Sequence, residues 1–183
     1  MAIKEFKIVF SQYHQGSSSF IHLLSSPTVI TRDAAIHPDD PEKLKAATDK
    51  SAKNISTKLV FHGSHNADKA LQLNQLAKHT KQHVCFIDCK GLVENYIGET
   101  EKNLSRLVAQ AETENWILYF DEADALFGSR TDVKSAHDKY VNQDVSDFFK
   151  RLSQYSGLSI LSMTEKPKLD IIQYAVDNVV SFR

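Results

Sequence analysis

Only two cysteines occur among the 183 residues, and no apolar run approaches the length needed to span a bilayer. Cys85 and Cys89 lie four apart within one hydrophobic stretch. That spacing suits neither a disulfide framework nor the paired C-x-x-C of a zinc site, so buried, reduced thiols are expected. Charge of one sign is lacking too: 22 Lys and Arg face 23 Asp and Glu, a formal net charge of -1, with no like-charged block. This argues against a nucleic-acid or polyanion binder. With no leader-like N-terminal segment and no spanning run, the expectation is a cytoplasmic protein without a membrane partner. Of the four prolines, Pro27, Pro38 and Pro41 fall in the first third of the chain, which is accordingly irregular up to about residue 57.

Within that third, Pro41–Asn54 reads as a helix, because Asp40 can cap it and Pro41 suits a first helical turn. Its apolar face is thin, and Lys43, Lys45, Lys50 and Lys53 read as a solvated face on a surface helix. The chain therefore divides into a core, 58–183, and a segment 1–57 of unassigned role that is able to pack on it.

From Lys58 onward, short apolar runs alternate with helical periods, the signature of a parallel α/β sheet. The runs are Lys58–His62, Val84–Asp88, Ile117–Asp121, Leu158–Met163 and Val179–Phe182, each continuous enough for a strand covered on both faces. Between them, Leu104, Leu107, Val108 and Ala111, then Val141, Val145, Phe148, Phe149 and Leu152, mark crossover helices. Leu73, Leu76 and Ala77 mark a shorter one after the first run.

The third run ends in Asp121 and Glu122. Burying a carboxylate is costly unless it is paired or binds a cation. A strand tip projecting two acids into a crevice therefore suits metal-bound phosphate chemistry, the first acid holding hydrated Mg²⁺ and the second orienting an attacking water. The bland alternative is that these acids cap the next helix.

The run Tyr119-Phe120-Asp121-Glu122-Ala123-Asp124-Ala125-Leu126-Phe127-Gly128 resembles the Walker B segment of AAA+ ATPases. Tyr96-Ile97-Gly98-Glu99-Thr100-Glu101-Lys102-Asn103 is similar to the segment that precedes it in that family. The resemblance covers roughly Lys58 to Arg183 and implies a three-layer P-loop NTPase-like domain with a five-stranded parallel sheet ordered 5-1-4-3-2. It also implies ATP or ADP with Mg²⁺ as cofactors: Gly63, Lys69 and Thr164 would contact nucleotide, Asp121 the hydrated Mg²⁺ and Glu122 the lytic water. Tyr96, Ile97 and Gly98 match a pore loop that grips polypeptide in a ring. The stretch from Gly128 through Tyr140 to Arg151 is similar to a bacterial branch some of whose members accompany contractile injection machines.

Several positions depart from the family pattern. After the first strand, Gly63 and Lys69 keep the spacing of G-x-x-x-x-G-K-[ST], but Asp68 replaces the second glycine and Ala70 the Mg²⁺-binding hydroxyl. A carboxylate there adds a side chain and a negative charge beside phosphates. At about 4 Å that repulsion is on the order of 1 kcal/mol in water and roughly 4 at an effective dielectric near 20. Lys69 is then expected to pair with Asp121 or Asp68. After the fourth strand, Thr164 matches a polar sensor, but Glu165 replaces the following Asn, and Gln173 to Asn178 hold no arginine finger. The chain ends at Arg183, after the fifth strand, so the expectation includes no C-terminal lid. Phe20, Ile21, Leu23 and Leu24 are then free to bury in the open cleft.

The expectation is thus a degenerate AAA+-like module with a degenerate Walker A, little or no ATP hydrolysis and a function in protein–protein interaction, alone or in a homo- or hetero-oligomer. The alternative is a weak or partner-completed ATPase. Other constellations are discounted: His79 and His83 share a helix face only if the helix overruns the next strand, and Ser64, His65 and Asp68 crowd one loop too tightly to align as a triad.

Overall fold

The structure, a computed structural model, describes residues 21–24, 40–95, 100–127 and 146–182. The apolar runs form β2 (Thr57–His62), β3 (Val84–Asp88), β4 (Ile117–Asp121), β5 (Leu158–Met163) and β6 (Asn178–Ser181). The last strand begins and ends one residue earlier than its apolar run. These five strands are parallel and neighbour one another in the order β3-β4-β5-β2-β6, the 5-1-4-3-2 order of the expectation. A sixth strand, β1 (Ile21–Leu24), pairs antiparallel with β3 at the sheet edge.

Side chains alternate across the strands, so each strand feeds two cores. Leu59, Phe61, Ile117, Tyr119, Ile160 and Val180 pack on one face beneath α1 (Asp40–Ser51) and α2 (Asn66–Thr80). Val60, Ile87, Leu118, Phe120 and Leu161 pack on the other with Cys89, the first residue of α3 (Cys89–Asn95), beneath α4 (Thr100–Glu114), α5 (146–152) and α6 (Lys166–Ile172). This is a three-layer α/β domain. All six residues of β5 are buried, as befits its central position. The stripes Leu104, Leu107, Val108, Ala111 and Phe148, Phe149, Leu152 are buried as the periodicity requires, while Val141 and Val145 lie outside the described residues.

Helix α2 runs fifteen residues, longer than its three-residue stripe suggested, and stops where Lys81 turns left-handed (φ 57°). His83 therefore falls outside the helix that carries His79. Cys85 and Cys89 are buried and free, and burial pushes the Cys85 thiol up to about 12.

Two expectations for the N-terminal third need correction. Helix α1 lies at the surface, with Pro41, Glu42, Lys45, Ala46 and Asp49 exposed, but its inner face is fuller than the sequence suggests: Leu44 and Ala47 enter the core, and Asp40 is 1% exposed. Its lysines are not uniformly solvated, since Lys43 Nζ bonds the Val179 carbonyl (3.2 Å) and Lys50 Nζ bonds Asp177 (3.0 Å). Nor does the strand that carries Ile21, Leu23 and Leu24 lie beside β2. Strand β1 is separated from β2 by β3, β4 and β5, four inter-strand steps or about 19 Å. The sheet edge offers apolar residues backbone pairing that an open cleft cannot. Phe20 lies outside the described residues.

Candidate functional site

The parallel strands β2, β3, β4 and β5 share one carboxyl end, the end at which open parallel sheets hold their ligands. Beside β2, Gly63 adopts φ 129° and a Cβ there would overlap the Phe182 carbonyl oxygen. The Gly63 amide donates to the Met163 carbonyl (3.0 Å) and the Phe182 amide to the His62 carbonyl (2.8 Å), so this tip is stitched to both neighbouring strands.

Only Ser64 and His65 separate Gly63 from α2. The amides of Asp68 and Lys69 both donate to the His65 carbonyl, each at 3.1 Å. Residues 66–69 thus lie in helix rather than in an open loop. Helical phasing buries Asp68 and Lys69 together, at 7% and 1% exposure. His65 is the residue before the helix and gives no side-chain cap.

Lys69 Nζ donates to Ser162 Oγ (3.2 Å) and to the Met163 carbonyl (3.0 Å), both on β5. This corrects the expected contact pair with Asp121 or Asp68; Asp121 acts on the ammonium through its charge. Burial, the larger influence, lowers the Lys69 pKa; Asp121 and Asp124 oppose it. Burial likewise raises the Asp121 carboxyl, while Ser162, the Glu122 amide and Lys69 hold it down and Asp88, abreast of it on β3, pushes it further up. The Asp88 carboxylate accepts the Gly91 amide (3.0 Å). Glu122 is exposed and sits in the left-handed region (φ 49°), a conformation that β-carbon sterics disfavour and that clusters at functional sites. Beyond it, Phe127 stacks on Phe149 and meets Phe148 edge-on, which anchors the turn over 123–127 to α5.

The Thr164 hydroxyl donates to Asp124 Oδ2 (3.3 Å). Asp124 also accepts the amides of Thr164 (2.8 Å) and Glu165 (3.0 Å), and its own carbonyl accepts Lys168 Nζ (3.0 Å). Glu165, one turn away, pairs with Lys168 (3.0 Å). The structure thus brings Gly63, Lys69, Asp121 and Thr164 to one end of the sheet with Glu122. Asp124 and Ser162 complete the cluster and were not singled out from sequence; the third acid of Asp121-Glu122-Ala123-Asp124 was their one available signal. Tyr96, Ile97 and Gly98 lie outside the described residues, as do Gly128 to Tyr140 and Arg183. Among the described residues, no three of His, Cys, Asp and Glu gather as a metal-ligand set, and no helix is long and apolar enough to cross a membrane.

Residues 59–176 match the ATPase family associated with various cellular activities (AAA). The chain belongs to this AAA family. Its ATPases take ATP or ADP with Mg²⁺. The chain is 27% identical over 117 residues to the peroxisomal ATPase PEX6 of Saccharomyces cerevisiae, covering 61% of this chain and 11% of that one. It is 25% identical over 122 residues to the proteasome-activating nucleotidase of Methanosphaerula palustris, covering 64% and 29%. To the vesicle-fusing ATPase of Caenorhabditis elegans it is 29% identical over 128 residues, covering 62% and 15%. The AAA match starts within β2 and ends before β6, so β1 and α1 lie outside it.

Proposed function

We propose that this chain is an AAA module with a degenerate Walker A, little or no ATP hydrolysis, and a function in binding a protein partner. The observation that carries this reading is the pair of amides at Asp68 and Lys69, both donating to His65. In a phosphate-binding loop such amides cradle the phosphates. Here they are spent within the helix, Asp68 stands where close backbone approach is needed, and the Lys69 ammonium is held on β5. These residues do not fit a bound triphosphate. A protein partner fits the near-neutral charge better than a nucleic acid does.

The same reading treats residues 1–57 as an accessory segment on a core of 58–183, places the protein in the cytoplasm, and extends to Tyr96-Ile97-Gly98 as a polypeptide-gripping loop. It includes assembly with copies of itself or with other subunits, and kinship with the bacterial branch that accompanies contractile injection machines.

A second reading, a weak ATPase completed by a partner's arginine, is favoured by the intact acids Asp121 and Glu122 at the tip of β4. Titration calorimetry with ATP and ADP, with and without Mg²⁺, separates the two. The first reading expects no binding by the natural chain and binding gained by Asp68→Gly with Ala70→Thr. Mg²⁺-strengthened binding that Lys69→Ala abolishes, or turnover of about 1 s⁻¹ or more that Glu122→Gln removes, would establish the second.

A further inference from the structure

Asp40 meets Ser181 and Lys50 meets Asp177, so α1 runs antiparallel to β6. Helix α2 leaves the carboxyl end of β2 and stops at Thr80, shortly before β3 begins. Both helices therefore end beside the amino termini of the strands, at the opposite end of the sheet from Asp121. Between these two helix ends and Asn115 lies a cavity of about 270 Å³. Helix C-termini carry partial negative charge, and Asp49 adds a carboxylate to the lining. Among the described residues, no Lys or Arg lines the cavity.

Thr48, Thr80 and Gln82, which line it, have committed their donors elsewhere. The Thr48 hydroxyl donates to the Leu44 carbonyl (2.8 Å) and the Thr80 hydroxyl to the Leu76 carbonyl (2.9 Å). Gln82 Nε2 donates to the carbonyl (3.1 Å) and to Oδ1 (2.7 Å) of Asn115. What these side chains keep is acceptor capacity: the hydroxyl lone pairs of Thr48 and Thr80 and the Oε1 of Gln82. Together with Asp49 they make a lining rich in acceptors, drawn from both helices and from the turn before β3. A second hollow of about 410 Å³ continues from it between α1 and α2, sharing Thr48, Asp49 and His79, and is lined by Leu44 and Leu76.

We propose that the cavity takes an arginine side chain of the protein partner, with an adjoining apolar residue lying over Leu44 and Leu76. This rests on the reading of the chain as a protein-binding module. A guanidinium presents five N–H donors in a planar fork, which suits acceptors spread over two helices and a turn better than the compact ammonium of a lysine does. Asp49 compensates its charge. Lys45 lines the neighbouring hollow, disfavours a cation there, and so sets which way round the segment lies.

The test is NMR titration of the full-length chain, read at its amide signals, with acetyl-Leu-Arg-amide, with acetyl-Leu-citrulline-amide, which keeps the shape without the charge, and with acetyl-Arg-amide. The expected result is saturable shifts at Ser51, Asn54, Thr80 and Gln82 with acetyl-Leu-Arg-amide. Affinity should fall by about five-fold or more for the citrulline probe and for Asp49→Asn, and acetyl-Arg-amide should bind more weakly than acetyl-Leu-Arg-amide. No saturable shift at these residues, or a smaller difference between the charged and uncharged probes, overturns the proposal. Acetyl-Arg-amide binding as tightly as acetyl-Leu-Arg-amide overturns it too, because a free cation then suffices. Asp49 is exposed; if Asp49→Asn does not fold, the citrulline comparison on the natural chain decides. Calorimetry with nucleotide is read separately: nucleotide binding by the natural chain removes the underlying reading whatever the peptides do, and failure of the peptides leaves that calorimetry unchanged.

Discussion

The Lys69 ammonium lies 3.2 Å from the Ser162 hydroxyl, and both groups are buried at the meeting of α2 with β5. An ammonium in that position links stability to pH. Its pKa is lowered by burial, so between the folded value and the ordinary value near 10.5 the unfolded chain holds the extra proton. Stability therefore rises with pH in that window. In urea unfolding at rising pH up to about pH 10, the natural chain should gain on Lys69→Met once the pH passes the lowered folded value. A constant or shrinking difference would mean that the charge is not desolvated.

Asp124 receives three hydrogen bonds from Thr164 and Glu165. In Asp124→Asn an amide nitrogen replaces one acceptor and faces an N–H. The expected loss is about 2–3 kcal/mol, against about 1 kcal/mol for Thr164→Val, which removes the hydroxyl contact alone. Denaturant midpoints give both numbers, and equal losses would contradict the assignment.

Gly63 combines a φ of 129° with close approach of its α-carbon to the Phe182 carbonyl. Gly63→Ala meets both obstacles at once, and a loss of about 3 kcal/mol or more is expected from backbone strain and overpacking together. A variant that melts like the natural chain would show that the β2 and β6 tips separate easily.

Asp177 accepts the Lys58 amide (2.8 Å) and pairs with Lys50. Burial alone would raise its pKa, but the Lys58 amide and Lys50 hold the carboxyl below its ordinary 3.8. A depressed acid stabilises the fold above its unfolded pKa and loses that contribution as pH falls through the folded value. The advantage of the natural chain over Asp177→Asn should be full at neutral pH and fade below about pH 4. An advantage that persists unchanged at pH 2 would show that the charge plays no part.

The strands and the site differ in how far they can be read from sequence. The strands Val84–Asp88, Ile117–Asp121 and Leu158–Met163 match their apolar runs residue for residue, because burial on both faces leaves a continuous signature. The acids at the tip of β4 and the glycine and lysine after β2 were legible from spacing for a similar reason: strand ends and adjoining loops are fixed by local sequence. Ser162 and Asp124 were not. Ser162 is one polar residue in a buried strand, and Asp124 is the last of three acids within four residues; nothing local says which donors either will meet.

The sequence by itself determined that this chain folds as a parallel α/β domain, because hydrophobic periodicity is a local property, and its resemblance to AAA+ ATPases rested on equally local runs such as Tyr119 to Gly128. Only the tertiary structure decided where Lys69, Thr164 and Asp40 direct their polar atoms. Asp40 meets Ser181 across 141 positions and Lys69 meets Ser162 across 93. A buried polar group takes the partner that packing brings within about 3 Å, and packing is set by the whole sheet.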